Sequence, residues 1–210
     1  MNNLIPKKKL FFTDERIAII DIGSDTVRFQ IFENFKYNQV AIFNKKISCG
    51  LGKDLIKNNK LNNDSIKKAM NALYYIKELI DSSNIKNYEI FATEAVRVAK
   101  NREAFIADVE NIFKKKIHVL TGDEEAKFSA MGCIVGLKKS SGLVADLGGG
   151  SLELAEVKKK EIMNTLSLPL GVHRAKTKNK KIIEKFKNSL RHTEWLNENK
   201  FKRVILTGGT

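Results

Sequence analysis

The chain is short of the residues that staple, kink or anchor a fold. Two cysteines in 210 residues, Cys49 and Cys133, leave no disulfide framework and no cysteine-based zinc site. Two prolines, Pro6 and Pro169, and the lack of a serine- or glycine-rich stretch leave no obvious flexible linker. Apolar runs such as Met131–Leu137 fall far below the roughly 20 residues that a transmembrane helix needs. After Lys7–Lys9, Asp14 and Glu15 arrive before the apolar core of a signal peptide could form. These absences lead us to expect a cytoplasmic protein with no membrane partner.

What is present reads as a soluble α/β domain or pair of domains. Hydrophobic residues make up 42% and charged ones 30%, a balance that supports a packed core. Lys and Arg number 38 against 24 Asp and Glu, a net charge of +14 that concentrates polyanions near the surface. The basic clusters Lys7–Lys9, Lys114–Lys116, Lys158–Lys160 and Lys178–Lys181 are scattered and rarely interleaved with aromatics. They point to no specific nucleic-acid surface.

β-branched and aromatic residues predict strands over Arg16–Asp21, Thr26–Glu33 and Gln39–Ser48. Ile66, Ala69, Met70, Leu73, Ile76, Leu79 and Ile80 recur at helical spacing, with Asn63 or Asp64 as the expected cap. A strand Tyr88–Thr93, a helix Arg102–Phe113, a strand Ile117–Leu120 and a helix Asp123–Gly136 follow. The pattern then restarts, because Asp21 falls on Asp146 and Gly23 on Gly148 at an offset of 125 residues. A strand Glu161–Leu168, a basic helical region Lys181–Leu196 and a strand Arg203–Leu206 complete the second copy. The expected organisation is a first α/β half over residues 1–136 and the start of a second over 137–210. Since the second half stops where the first runs on, one face of its sheet is expected to be uncovered.

In each copy an apolar strand ends in Asp and enters a glycine turn. Glycines let backbone amides approach a phosphate without a Cβ in the way, while the carboxylate faces a neutralising divalent ion. Gly148–Gly149–Gly150–Ser151 is the stronger turn and Asp21-Ile-Gly23-Ser24 its partner. Thr121 and Glu124 have capping-box spacing, which occupies Glu124 with its own helix end. Glu125 is left free of the cap and suited to orient and deprotonate water. Glu153 alternates with Leu152 and Leu154, and so shares the face addressed by Asp146. Arg28 and Arg97 are candidate phosphate ligands, guanidinium being a bidentate match for phosphate oxygens.

Six ordered segments resemble the exopolyphosphatase / guanosine pentaphosphate phosphohydrolase family. They are Asp21-Ile-Gly-Ser-Asp-Thr-Val-Arg28, Ala92-Thr-Glu-Ala-Val-Arg97 with Asn101, Thr121-Gly-Asp-Glu-Glu-Ala126, Asp146-Leu-Gly-Gly-Gly-Ser-Leu-Glu153, Ser167-Leu-Pro-Leu-Gly171 and Gly208-Gly-Thr210. The resemblance implies two duplicated actin-like ATPase (ribonuclease H-like) α/β domains flanking a cleft, the second incomplete here. It implies release of terminal phosphate from polyphosphate or guanosine pentaphosphate with Mg2+ or Mn2+. By position, Glu125 is similar to the family's water-activating Glu and Arg97 to the arginine near the transferred phosphoryl. Asp146 and Glu153 match the metal-associated carboxylates, and Gly23, Ser24, Gly148, Gly149, Gly150, Ser151, Gly208 and Gly209 the phosphate loops. A homodimer is one assembly open to such a chain. Three departures stand out: Asp25 where the family usually has Asn, Glu94 where it has Ser, and His173 for a small apolar residue. Uncompensated negative charge at Asp25 and Glu94 would repel phosphate, so the alternative expectation is a truncated, catalytically impaired polyanion-binding relic.

Overall fold

The computed structural model describes residues 16–33, 41–136, 141–175, 180–198 and 200–208. Residues 1–15, Gln39 and Val40 of the third expected strand, and Gly209 lie outside them. The chain opens with three strands, β1 (Ile17–Ile22), β2 (Thr26–Phe32) and β3 (Ala41–Ser48). A short helix α1 (Leu55–Asn58), the long α2 (Asn63–Ser82), strand β4 (Asn87–Ala92), α3 (Glu94–Val98), α4 (Arg102–Phe113), β5 (His118–Val119) and α5 (Gly122–Gly136) follow. Their strands form one sheet in the order β3-β2-β1-β4-β5.

The second sheet is built from β6 (Gly142–Leu147), β7 (Leu152–Lys158), β8 (Glu161–Leu168) and β9 (Val204–Gly208), with α6 (Val172–Ala175), α7 (Lys180–Arg191) and α8 (Glu194–Glu198) before its last strand. Its order, β8-β7-β6-β9, repeats the first four strands of the other sheet. In both, the first strand pairs antiparallel with the second and parallel with the crossover strand. The register repeats as well: Asp21 stands opposite Arg28, and Asp146 opposite Glu153.

Period-2 alternation builds the first core. Ala18, Ile20 and Ile22 of β1 with Val27 and Phe29 of β2 are buried against Ala69, Leu73, Ile76 and Ile80 of α2 and Phe105, Val109 and Phe113 of α4. The cap of α2 is Asn62, one residue before the expected pair. Asn62 is still extended, at φ −76° and ψ 139°, so its side chain can accept from the amides of Asp64 and Ser65, whereas Asn63 and Asp64 are already helical.

Helix α5 comes before β6 in the chain yet packs on the second sheet, its Ala130 meeting Val144, Ala155 and Val157. Phe186 and Leu190 of α7 and Trp195 and Leu196 of α8 cover Ala145, Leu154 and Leu168 on the opposite face. The expected bare face is therefore covered, because the helix that ends the first half and the helices before β9 serve the second sheet. Exposed apolar side chains remain at the margins of this sheet, Val204 at 54% and Leu206 at 79% on β9 and Met163 at 51% on β8. The basic helical region breaks at His192–Thr193, where the Thr193 hydroxyl donates back to the Ser189 carbonyl at 2.8 Å. Among the described residues no helix is long and apolar enough to cross a membrane.

Candidate active site

The two glycine turns are built alike. The Gly23 amide donates to the Thr26 carbonyl at 2.9 Å, and the Gly148 amide to the Ser151 carbonyl at 3.0 Å. In the second turn three successive carbonyls are taken by the start of α6. Gly148 accepts from Val172 at 3.0 Å, Gly149 from His173 at 3.0 Å and Gly150 from Gly171 at 2.9 Å. A trans peptide points its N–H opposite to its C=O. The amides of Gly149, Gly150 and Ser151 are thereby directed away from α6, an arrangement suited to anions.

The first turn is braced by Cys49–Gly52, a segment with no sequence signal beyond its glycines. Ser24 accepts from Gly52 at 2.8 Å, and Asp25 from Cys49 at 2.8 Å and Gly50 at 2.9 Å. The two loops touch. A Cβ on Gly149 would lie 3.2 Å from Ser24 Cβ, and one on Gly150 only 1.9 Å from Glu94 Oε2, so any side chain at Gly150 must displace the Glu94 carboxylate. Gly208 is fixed otherwise: at φ +81° a Cβ would lie 2.4 Å from Asp146 Oδ1.

Between the loops is a cavity of about 260 Å³ lined by Asp21, Gly23, Ser24, Asp25, Arg28, Lys46, Thr93, Glu125, Asp146, Gly148, Gly149, Gly150, Ser151, Thr207 and Gly208, among others. The structure thus brings together most of the sequence-derived candidates. Arg97 and Glu153 do not line it. Register explains which side chains share a face: Asp21, Arg28 and Lys46 stand in one row across β1, β2 and β3. Asp146, Glu153 and Ser167 form the matching row across β6, β7 and β8. Lys46 had no motif to mark it, and pairing opposite Arg28 is what places it. Arg28 also donates from Nε to Asn44 at 3.0 Å.

The carboxylates crowd one another. Burial raises the Asp21 carboxyl above its ordinary range; Arg28 opposes the shift and Asp146 adds to it. Burial likewise raises Glu125, against its hydrogen bond and charge contact with Arg97, while Asp21 and Asp146 push the same way as burial. Glu153 is 2% exposed. Burial, then the Glu125 charge, push it up to about 7, against hydrogen bonds from Ser151 and Ser167. The Ser167 hydroxyl donates to Glu153 at 2.9 Å and Ser129 donates to Asp146. Ser129 has no motif to mark it, and Ser167 opens one of the six ordered segments without a role assigned to it there.

The capping box forms as expected. Glu124 accepts from the Thr121 amide at 2.8 Å and its hydroxyl at 2.9 Å. Those hydrogen bonds hold its carboxyl below the usual range. Glu125 is not free, however: Arg97 Nη1 lies 2.9 Å from its Oε2. The same nitrogen donates to the Leu120 carbonyl at 2.6 Å. Asn101 clamps the backbone of Leu61, donating to its carbonyl at 3.1 Å and accepting from its amide at 2.8 Å.

The three departures sit in different surroundings. Glu94 is 3% exposed and paired with Arg174 at 2.7 Å, so its charge does not face the cavity uncompensated. His173 Nε2 lies 3.1 Å from Asp25 Oδ1, close in distance though without hydrogen-bond alignment. At Glu94 the expected repulsion is offset by Arg174, over a sequence separation that local reading cannot bridge, whereas beside Asp25 stands the His173 ring, which carries charge only when protonated.

Comparison with known proteins gives this geometry a family. The chain is 33% identical over 196 residues to a bifunctional 3-dehydroquinate synthase/phosphatase of Fusobacterium nucleatum, covering 87% of this chain and 30% of that protein. It is 28% identical over 155 residues to a putative exopolyphosphatase of Haemophilus influenzae, covering 73% of this chain and 48% of that protein. The chain therefore spans less than half the length of either. The crystal structure of the Aquifex aeolicus member of the Ppx/GppA family superimposes with a TM-score of 0.73 at 27% identity, covering 93% of this chain and 66% of that one. Residues 31–204 match the profile of the Ppx/GppA phosphatase family. On that match, with the two glycine turns and the carboxylates between them, the chain belongs to the Ppx/GppA phosphatase family.

Proposed function

We propose that the cleft hydrolyses a terminal phosphoanhydride of polyphosphate or guanosine pentaphosphate. The observation that carries the reading is the fixing of three successive carbonyls by Gly171–His173, which turns the Gly149–Ser151 amides to a common side of a loop that lines the cleft. The loop amides, Ser24 and Arg28 hold phosphate oxygens. Arg97 keeps one oxygen of Glu125 occupied, and the other takes a proton from the attacking water. As that water's oxygen bonds to the terminal phosphorus, the P–O bond to the remaining chain breaks and the chain leaves with the electron pair. A Glu raised by burial is a better base at neutral pH than an exposed one. The same reading treats the two sheets, alike in the order and direction of four strands, as copies of one actin-like unit.

The carboxylate oxygens of Asp146 and Glu153 suit a hard divalent ion such as Mg2+ or Mn2+, and their crowding is what a cation would relieve. Among the described residues no three acidic, His or Cys side chains are grouped to hold a metal by themselves. That fits Mg2+, which commonly uses one or two carboxylates and completes its shell with water and substrate phosphate. When bound, the ion would neutralise charge on the phosphates. The impaired-relic alternative loses one of its motives, since Glu94 is paired with Arg174.

The test is phosphate release from polyphosphate and from guanosine pentaphosphate in magnesium. Glu125→Gln should abolish release while leaving the melting temperature and phosphate-chain binding largely unchanged. Normal turnover by that variant would remove Glu125 from the chemistry.

A further inference from the structure

Glu94 and Arg174 are eighty residues apart in the chain and lie in α3, which follows a strand of the first sheet, and α6, which follows a strand of the second. Their side chains are nonetheless only 4% and 17% exposed. Arg174 Nη1 donates to Glu94 Oε1 at 2.7 Å and also to the Gly150 carbonyl. The other oxygen of Glu94 accepts from Ser24 Oγ at 3.3 Å. A single carboxylate therefore reaches one glycine turn directly and the other through Arg174. Glu94 also begins α3, which carries Arg97 one turn later. Arg97 in turn grips Glu125 of α5, the helix packed on the second sheet. Helix α3 is thus held by two ion pairs to elements that pack with the second half.

We propose that Glu94 and Arg174 are positioning residues of the cleft, a clasp that fixes the spacing of the two phosphate loops and the orientation of the Gly149–Ser151 amides. The role rests on the phosphate reading above and adds a specific means of holding the loops. Neither residue lines the cavity, so both act through Gly150, Ser24 and α3. Burying an ion pair contributes little net stability, but removing one partner strands a charge and frees what it held. The arrangement is therefore better explained by loop geometry than by stability alone.

The test uses the 210-residue chain with Glu94→Gln, Arg174→Gln and both together. Hydrogen exchange is read at the amides of Gly171, Val172 and His173, which hold the loop carbonyls and are remote in sequence from Glu94. Affinity is read with inorganic tripolyphosphate in magnesium. Glu94→Gln should speed exchange at those three amides by about tenfold or more and weaken tripolyphosphate by a similar factor. The amides of Leu73 and Ile76 in α2 should keep their protection. The double variant should lie closer to the unmodified chain than the two single effects combined imply.

Unchanged exchange at Gly171–His173 in Glu94→Gln overturns the proposal, and so does a loss of protection spread equally over α2. Should Arg174→Gln fail to fold, Glu94→Gln decides by itself. If the unmodified chain binds no tripolyphosphate, the phosphate reading falls, while the exchange measurement still supports or overturns the clasp.

Discussion

Replacing Glu153 with glutamine should stabilise the metal-free chain above neutral pH and leave it unchanged in acid. The carboxyl is 2% exposed and stands across from Asp146. Burial first, then Glu125, raise it from an ordinary 4.5 to about 7. The folded chain thus holds this proton more tightly than the unfolded chain does. The cost of ionisation is absent below pH 4.5, grows between 4.5 and about 7, and is full above that. The interval corresponds to about 3 kcal/mol. Urea unfolding with a chelator present, at pH 4 and pH 8, measures it directly. Glu153→Gln should gain about 3 kcal/mol at pH 8 and match the parent within about 0.5 kcal/mol at pH 4. Magnesium should narrow the gap at pH 8, because a cation beside Asp146 and Glu153 favours their ionised forms. An equal difference at both pH values, or a loss at pH 8, would refute the reasoning.

Gly150→Ala should lower stability by about 1–3 kcal/mol and weaken tripolyphosphate binding, because its Cβ would fall 1.9 Å from the Glu94 carboxylate. Gly132→Ala is the matched control: it lies in α5 with nothing within 4 Å of the new Cβ, so thermal melts should show unchanged or raised stability. Glu124→Ala should cost about 1 kcal/mol at neutral pH through the lost cap. Since the Thr121 hydrogen bonds lower the Glu124 pKa, that cost should fade as pH falls through the folded-state value. Urea unfolding across the acid range decides it, and a cost that persists in strong acid would remove the charged cap from the account.

Local periodicity made much of this molecule readable. The apolar stripe of α2, the bounds of α4 and β8, and the paired glycine turns follow from spacing within a few residues. The Thr121–Glu124 cap is local too, and it formed. What escaped reading depends on partners distant in sequence. Arg97 meets Glu125, and Arg174 meets Glu94, through tertiary packing that no spacing rule encodes. Glu94, which looks hostile to phosphate in the sequence, is therefore compensated in the fold. The covered second sheet has the same origin, because α5 follows β5 in sequence but packs with β6 and β7.

The carbonyl side of the Gly148–Ser151 loop is occupied by Gly171–His173 before any ligand arrives. Loop ordering is then part of folding and adds little to the entropy lost on binding. The loop should be nearly as rigid empty as filled. A defect in α6 would handicap every anionic ligand to a similar degree, whether its phosphates end in a nucleoside or in more phosphate. Discrimination among such ligands must come from groups farther along the cleft, where their structures begin to differ.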